Sequence, residues 1–555
     1  MNPINRYKNK IFSLLLSFVL LLSTVACQNH QKSDFIKTER KSAISKEFYD
    51  LKPVNIDDKY ETFYELFVYS FADSNNDGIG DFQGLIDKFY YINDGKDDSL
   101  DDLGVSALWL MPINPSPTYH KYDVLDYKDI DPQYGSLVDF DKFINLAHER
   151  GVKVIIDLVM NHTSDQHPWF KTAVEALENG DMENKYIGYY FFTEEQKSDS
   201  YHRAGNSKFF YEGKFWSGMP DLNLDNPDLR AEFEDIMRFW LEDHNVDGFR
   251  LDAVKEFDSG NDAHNIEILK WINSSVKSIK SDAYLVGEAW YGFSEYKKYY
   301  ESGIDSFFDF AFAEQNGLTV KAINRENGQE YAKFLEEANL KIREMNPKAI
   351  NASFISNHDT GRLAGFLASN PNKLRLAAAA NIFTSGNSFI YYGEELGMRG
   401  AGRDENKRAY IYWGENDSCQ TKGPQLDEDS YSYPFGSIEE QKNNPQSLLN
   451  YYKKAIRLRM SFPEISRGQT VWAQEIKENE LAPIEKIWID SEGKEHKILI
   501  IINFGTVAIE TELSNTAYSN YKLLYSLDNV DAKQVEQEGS TLKFPASTVA
   551  ILKEQ

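Results

Sequence analysis

Gly248–Lys255 reads GFRLDAVK and sets Arg250 two residues before Asp252 in a short apolar run. A strand repeats every two residues, so both side chains leave the same face. A cation beside a carboxylate favours its ionised form, which a nucleophilic aspartate requires. The same pair can also be plain structural glue, and three further stretches weigh against that alternative: DLVMNH at 157–162, VGEAW at 286–290 and FISNHD at 354–359. Each is an apolar β-type run ending in polar, ionisable residues, as strands of a parallel barrel end at the face where chemistry is done. A separate constellation, DSNNDGIGD at 73–81, alternates Asp73, Asn75, Asp77 and Asp81 around Gly78. That is an oxygen-ligand loop suited to a hard cation, calcium rather than magnesium because so many protein oxygens are offered. The alternative is an acidic turn closed by Asx hydrogen bonds.

The elements that must carry these residues are eight apolar, β-branched runs alternating with amphipathic helical stretches: 63–71, 105–113, 152–159, 246–254, 283–290, 306–310, 352–356 and 388–392. Such alternation predicts parallel α/β architecture, and eight units favour a closed (β/α)8 barrel. Between the third strand and its helix runs an excursion, 161–226, too long for an ordinary βα loop. The barrel is expected over 51–160 and 227–462, ending with a helix at 447–460. Beyond Pro463 the pattern becomes short alternating strands, a C-terminal antiparallel β-sandwich over 463–555.

The chain carries a net charge of −27 and many aromatic residues. Nucleic acid is excluded as a partner, because phosphates demand clustered Lys and Arg. Arg6, Lys8 and Lys10 precede the apolar run 11–25 and then Ala26-Cys27, which reads as a signal peptide over 1–26. A cysteine at the cleavage position resembles a bacterial lipoprotein signal, with Cys27 lipidated; ordinary secretion and an uncleaved anchor are the alternatives. Residues 27–50 read as a polar tether. Cys419 is the only other cysteine, so no internal disulfide is expected.

Taken in order and at their spacing, the four motifs resemble the conserved regions of glycoside hydrolase family 13, the α-amylase family. The resemblance runs from about Tyr60 to the C-terminus and implies a TIM barrel, a domain B at 161–226 and a sandwich domain C. It further implies Asp252 as nucleophile, Glu288 as acid/base and Asp359 as the third carboxylate. Glycoside cleavage with retention needs such an attacking carboxylate and a proton-donating partner, and an apolar surround of Glu288 would keep its proton. By the same resemblance His162 and His358 hydrogen-bond sugar, Tyr122 stacks under the ring, and Arg250 and Lys255 complete the substrate-binding set. Asp157 and Asn161 hold the loop architecture. The loop at 73–81 is similar to a metal loop of the oligo-1,6-glucosidase branch, with the Ile79 carbonyl as a further ligand to structural Ca2+.

MPDLN at 219–223 is similar to the fifth region of an intermediate group that includes lipoprotein amylases. Ala253 stands where α-1,6-specific enzymes carry Val. Tyr119, His120 and Lys121 stand where exo-acting glucosidases place an Asp, which implies an open cleft. Glu256 stands where many α-amylases place a His that binds a second calcium, so that ion is not expected. The expectation is a monomeric enzyme, lipid-anchored at the cell surface, cutting internal α-1,4 bonds of starch-like glucans. The alternatives are an α-glucosidase, an oligo-1,6-glucosidase, a neopullulanase-type enzyme, a transglycosylase or a silent glucan-binding relative.

Overall fold

The computed structural model describes residues 45–555; the expected signal peptide, Cys27 and the tether as far as residue 44 lie outside them. The tether expectation is corrected at its end. Lys46–Asp50 is a short helix whose Phe48 is buried, packed against Tyr525 at a ring separation of 6.0 Å. One aromatic side chain in a polar segment is enough to dock it, because burying a Phe is worth roughly 2–3 kcal/mol.

All eight expected barrel strands are present, all but the last shorter than the apolar runs that announce them. They are β1 (Thr62–Leu66), β2 (Ala107–Leu110), β3 (Lys153–Leu158), β4 (Gly248–Leu251), β5 (Tyr284–Gly287), β6 (Ser306–Phe307), β7 (Ala352–Ser353) and β8 (Asn387–Tyr391). They form one parallel sheet in the order β7-β8-β1-β2-β3-β4-β5-β6. A bridge between Phe308 and Ala352 joins the two edges and closes the barrel. The residues beyond each ladder are not lost strand: they are the arms that lift side chains to the mouth.

Inward-pointing residues fill the barrel. Phe63 stacks on Phe389 at 4.5 Å and Trp109 lies 5.1 Å from Phe308. Where β4 meets β5 the backbones approach so closely that a Cβ on Gly248 would sit 1.9 Å from the Tyr284 carbonyl oxygen, so only glycine fits. The outer helices start on deliberate caps. Ser136 opens Leu137–Glu149 with a capping box, and Asn226-Pro227 and Asn370-Pro371 pair a side-chain cap with proline at the first turn, satisfying amides that have no partner inside the helix. The expected helix at 447–460 is Leu448–Ser461, capped by Ser447.

The excursion after β3 carries helix Pro168–Asn179 and a small antiparallel sheet of Phe192–Thr193, Phe210–Glu212 and Tyr201–Arg203. The C-terminal region forms two antiparallel sheets. The larger contains β9 (Gln469–Trp472), β10 (Leu481–Ile489), β11 (Glu495–Asn503), β13 (Tyr521–Leu527) and β16 (Val549–Glu554). The smaller contains β12 (Ile509–Glu512), β14 (Glu536–Glu538) and β15 (Thr541–Phe544). Strand β11 is apolar on both sides because both sides are covered. Ile498, Ile500 and Ile502 join the main barrel core, whereas Leu499 and Ile501 pack with Leu542 and Phe544 of the smaller sheet.

Candidate active site

Register brings the chemistry together. Asp157 on β3 pairs with Arg250 on β4, and Leu251 pairs with Gly287 on β5, so the next residues, Asp252 and Glu288, emerge side by side at the mouth. Gly287 leaves room for the Phe307 ring, which a Cβ would meet at 2.5 Å. After Asp252 the chain turns sharply: Ala253 has φ 46°, a left-handed conformation that costs a non-glycine residue about 1–2 kcal/mol. The turn aims the Ala253 amide at Glu288 Oε2, 3.1 Å away.

Arg250 is fully buried and is the hub. Its Nη1 donates to Asp157 Oδ1 at 2.7 Å and to Asp252 Oδ1 at 2.6 Å, while its Nη2 lies 2.8 Å from Glu288 Oε2. Asp157 also accepts from Trp109 Nε1 and from the Tyr122 hydroxyl, each at 3.2 Å. It therefore ties Trp109, Tyr122 and Arg250 together. Burial raises Glu288 to about 7 despite Arg250, and the charges of Asp252 and Asp359 push the same way.

On the other side of the mouth, Asp359 Oδ1 accepts from Arg408 Nη2 at 2.8 Å and Oδ2 lies 3.0 Å from His358 Nε2. Burial works against its ionisation, but the His358 and Arg408 charges overcome it and hold Asp359 well below the usual carboxylate range. His358 is itself buried, which lowers its basicity. Asp359 and Glu65, the latter 2.6 Å from Nδ1, reverse that and raise it to about 9. Its Nε2 also meets the Tyr122 hydroxyl at 2.6 Å, and the Tyr122 and His358 rings lie near parallel.

Asp252, Glu288, Asp359, Arg408 and Tyr122 line a cavity of about 420 Å³ together with His162 and, from the excursion after β3, Phe215, Trp216 and Met219. Phe215 and Trp216 are half exposed and Trp290, on the β5 arm, is 40% exposed. Aromatic faces left bare at a pocket full of carboxylates suit a ring that is apolar on its faces and hydroxylated at its edge. His162 Nε2 is buried without a hydrogen-bond partner, a polar atom left for a ligand. A larger cavity of about 510 Å³ lies at the opposite, N-terminal end of the strands, away from these carboxylates.

Of the expected residues, Asp252, Glu288, Asp359, Tyr122 and His162 line the cavity, while Arg250 and His358 lie directly behind it. Lys255 does not line it: its ammonium stands 4.7 Å over the Tyr291 ring and 3.5 Å from Glu256. Lys121 is turned away, ion-paired to Asp131 at 2.8 Å, and of the stretch Tyr119–Lys121 only His120 lines the cavity. Glu256, the departure from the amylase pattern, pairs with Lys214 of the excursion at 3.3 Å, so an ion pair spans that junction. In the loop at 73–81 the side chains fold inward. Asp73 accepts from the amides of Asn75, Asn76 and Gly78, Asn75 from Asp77, Asp77 from Ile79, and Asp81 from Ser74 and Gly84. Among the described residues no three His, Cys, Asp or Glu side chains converge as a ready-made metal cluster.

Residues 65–468 match the family defined by the α-amylase catalytic domain. The chain belongs to that family. It is a glycoside hydrolase. Alpha-amylase 3 of Dictyoglomus thermophilum is 38% identical over 414 residues, 74% of this chain and 79% of the relative. Among solved structures, Amy13B of Eubacterium rectale superposes with a TM-score of 0.86 at 38% identity, covering 93% of this chain and 99% of its own. The α-amylase from H. orenii gives 0.79 at 33% identity, covering 90% and 100%.

Sequence reasoning missed Arg408, Asp404 and Glu65. Glu65 had a signal, a lone charge inside the apolar strand TFYEL. Arg408 had none, since it reaches Asp359 from a loop with no motif of its own.

A carboxyl raised to about 7 can donate a proton below that pH and loses it above. With Glu288 as the acid, kcat/KM on an α-glucan should therefore fall about tenfold per pH unit on the alkaline side, with an apparent pKa near 7. A rate that stays flat to pH 9 would remove Glu288 from that role.

Proposed function

We propose that this glycoside hydrolase is a retaining, endo-acting α-amylase that cuts internal α-1,4 bonds of starch-like glucans. The observation that carries the reading is the sharing of one buried guanidinium by Asp252 and Glu288. Retaining glycosidases hold nucleophile and acid/base only about 5 Å apart, and two carboxylates on neighbouring nitrogens of one arginine are held close in this way. Asp252 attacks the anomeric carbon while Glu288 protonates the leaving oxygen. Glu288 then takes a proton from the water that releases the glycosyl unit. Asp359, kept ionised by His358 and Arg408, stabilises the positive charge that develops on the sugar ring. The names of the Dictyoglomus and H. orenii relatives support the α-amylase reading. So does the stretch Tyr119–Lys121, which carries no carboxylate where exo-acting glucosidases place an Asp.

The product profile on soluble starch, pullulan and maltotriose tests this. Rapid loss of starch viscosity with mixed maltooligosaccharides is expected, and glucose from the first minutes, fastest on maltotriose, would reject endo action. Asp252→Asn should cut kcat by on the order of 10⁴ with an unchanged melting temperature; near wild-type rates would reject the nucleophile.

The loop at 73–81 is proposed to hold a structural Ca2+ through Asp73, Asn75, Asp77, Asp81 and the Ile79 carbonyl. Its donors are all hard oxygens, and the hydrogen-bond partners of its three carboxylates are neutral backbone amides and the Ser74 hydroxyl. Chelation should then lower the melting temperature by several degrees, restored by added calcium. An unchanged melt would reject the site. Export and lipid anchoring at Cys27, with display at the cell surface, are proposed on the N-terminal signal alone.

A further inference from the structure

Strand β1 sends one carboxylate into the barrel. Glu65 follows Phe63 by two residues, so both point inward, and its register partners are Trp109 on β2 and Tyr391 on β8. It is 1% exposed, and a carboxylate buried in such aromatic surroundings needs donors to meet it. The donors come from His358, on the arm beyond β7. Glu65 Oε1 lies 2.6 Å from His358 Nδ1 and also accepts from the His358 amide at 3.3 Å. An oxygen that accepts twice leaves the proton between it and Nδ1 on the ring. At the other end of the ring, Nε2 lies 3.0 Å from Asp359 Oδ2, and Arg408 pairs with the same carboxylate. Nε2 must therefore bring a hydrogen as well. Both nitrogens face acceptors, which only the imidazolium satisfies.

That state fixes the direction of a chain of hydrogen bonds across the barrel mouth. Tyr122 Oη lies 2.6 Å from Nε2 and 3.2 Å from Asp157 Oδ2, and Arg250 Nη1 donates to it at 3.3 Å. Burial pushes this hydroxyl well above the ordinary tyrosine range, so it keeps its single proton. Facing an imidazolium, it accepts from Nε2 and gives that proton to Asp157. Facing a neutral ring protonated at Nδ1, it would turn to Nε2 and Asp157 would lose a donor. We propose that Glu65 is a positioning residue for glycoside cleavage: from β1 it holds His358 as the imidazolium, and through His358 and Tyr122 it sets the hydrogen bonds of Asp359 and of the Asp157–Arg250 pair. The charged or titratable groups around the ring are Glu65, Tyr122, Asp157, Glu288 and Asp359, with Arg250 behind Tyr122 and Arg408 donating to the His358 carbonyl at 3.2 Å. Burial makes the ring less basic, but Asp359 and Glu65 outweigh it and raise it to about 9, so removing the Glu65 charge lowers it. The inference rests on the reading of Asp252 and Glu288 as nucleophile and acid/base for its kinetic part alone.

The ring 15N signals of His358, assigned by their loss in His358→Gln, read its protonation apart from turnover. In the wild type both nitrogens should carry protons at pH 7, with a midpoint near 9; a ring that is neutral at pH 7 overturns the proposal without any further variant. Glu65→Gln keeps the shape and can still accept from Nδ1 but carries no charge, and it should lower the midpoint by about two pH units. The imidazolium is then lost over the same range as the Glu288 proton, which leaves near 7. The alkaline limb of kcat/KM on maltoheptaose should therefore start at lower pH and steepen from about tenfold to about a hundredfold per pH unit. Below pH 6, where the ring regains its proton, the variant should come within about threefold of the wild type. An equal loss at every pH with the ring signals unmoved means that Glu65 acts through the fold. A wild-type profile despite a lowered midpoint means that cleavage does not need the imidazolium. Each of these overturns the proposal. A wild-type enzyme that cuts no α-glucan removes the α-amylase reading instead, and the ring signals still decide whether Glu65 holds the imidazolium.

Discussion

Every feature of the mouth depends on one cation held out of water. Arg250 is buried beyond reach of solvent, and such a charge survives only if its partners are built in. Here the partners are Asp157, Asp252 and Glu288. Adding the neighbouring cluster, five carboxyl groups (Glu65, Asp157, Asp252, Glu288 and Asp359) face three cations (Arg250, His358 and Arg408). A buried group with a surplus of acid must keep protons somewhere. Glu288, at about 7, retains its proton more readily than Asp157, at about 6, and Asp359 releases its own because two cations face it. The division of labour between acid and base follows from this charge balance.

The chain declared most of this in advance where local pattern and function coincide. Each motif is a strand end, so the apolar run locates the element and the polar tail marks its exit at the barrel mouth. What stayed hidden is what local pattern cannot encode. Arg408 meets Asp359 across 49 positions. Lys255, three residues after Asp252, is drawn away from the cavity by Tyr291 and Glu256. All the strands but β8 proved shorter than their apolar runs because burial continues past the ladder into the arms around the cavity, and hydropathy reports burial and not hydrogen bonding. Phe48 was lost in polar surroundings for a related reason: one anchoring side chain has no period.

The C-terminal sandwich is bound into the enzyme more tightly than an appended module. Its larger sheet gives one face of β11 to the barrel core and the other to its own smaller sheet. Gly328, at the start of the barrel helix Gly328–Met345, sits so close to Leu481-Ala482 that a Cβ there would meet backbone at 2.4 Å. The two regions therefore share one hydrophobic interior, and neither covers its apolar surface without the other.

The docking of Phe48 also fixes where the described chain joins the body. Val54 donates to the Met460 carbonyl, and the following residues run along the cavity at the N-terminal ends of β1, β2 and β3 before Thr62 opens the first strand. The chain thus enters the body through the floor of the barrel, with the carboxylates at the opposite rim.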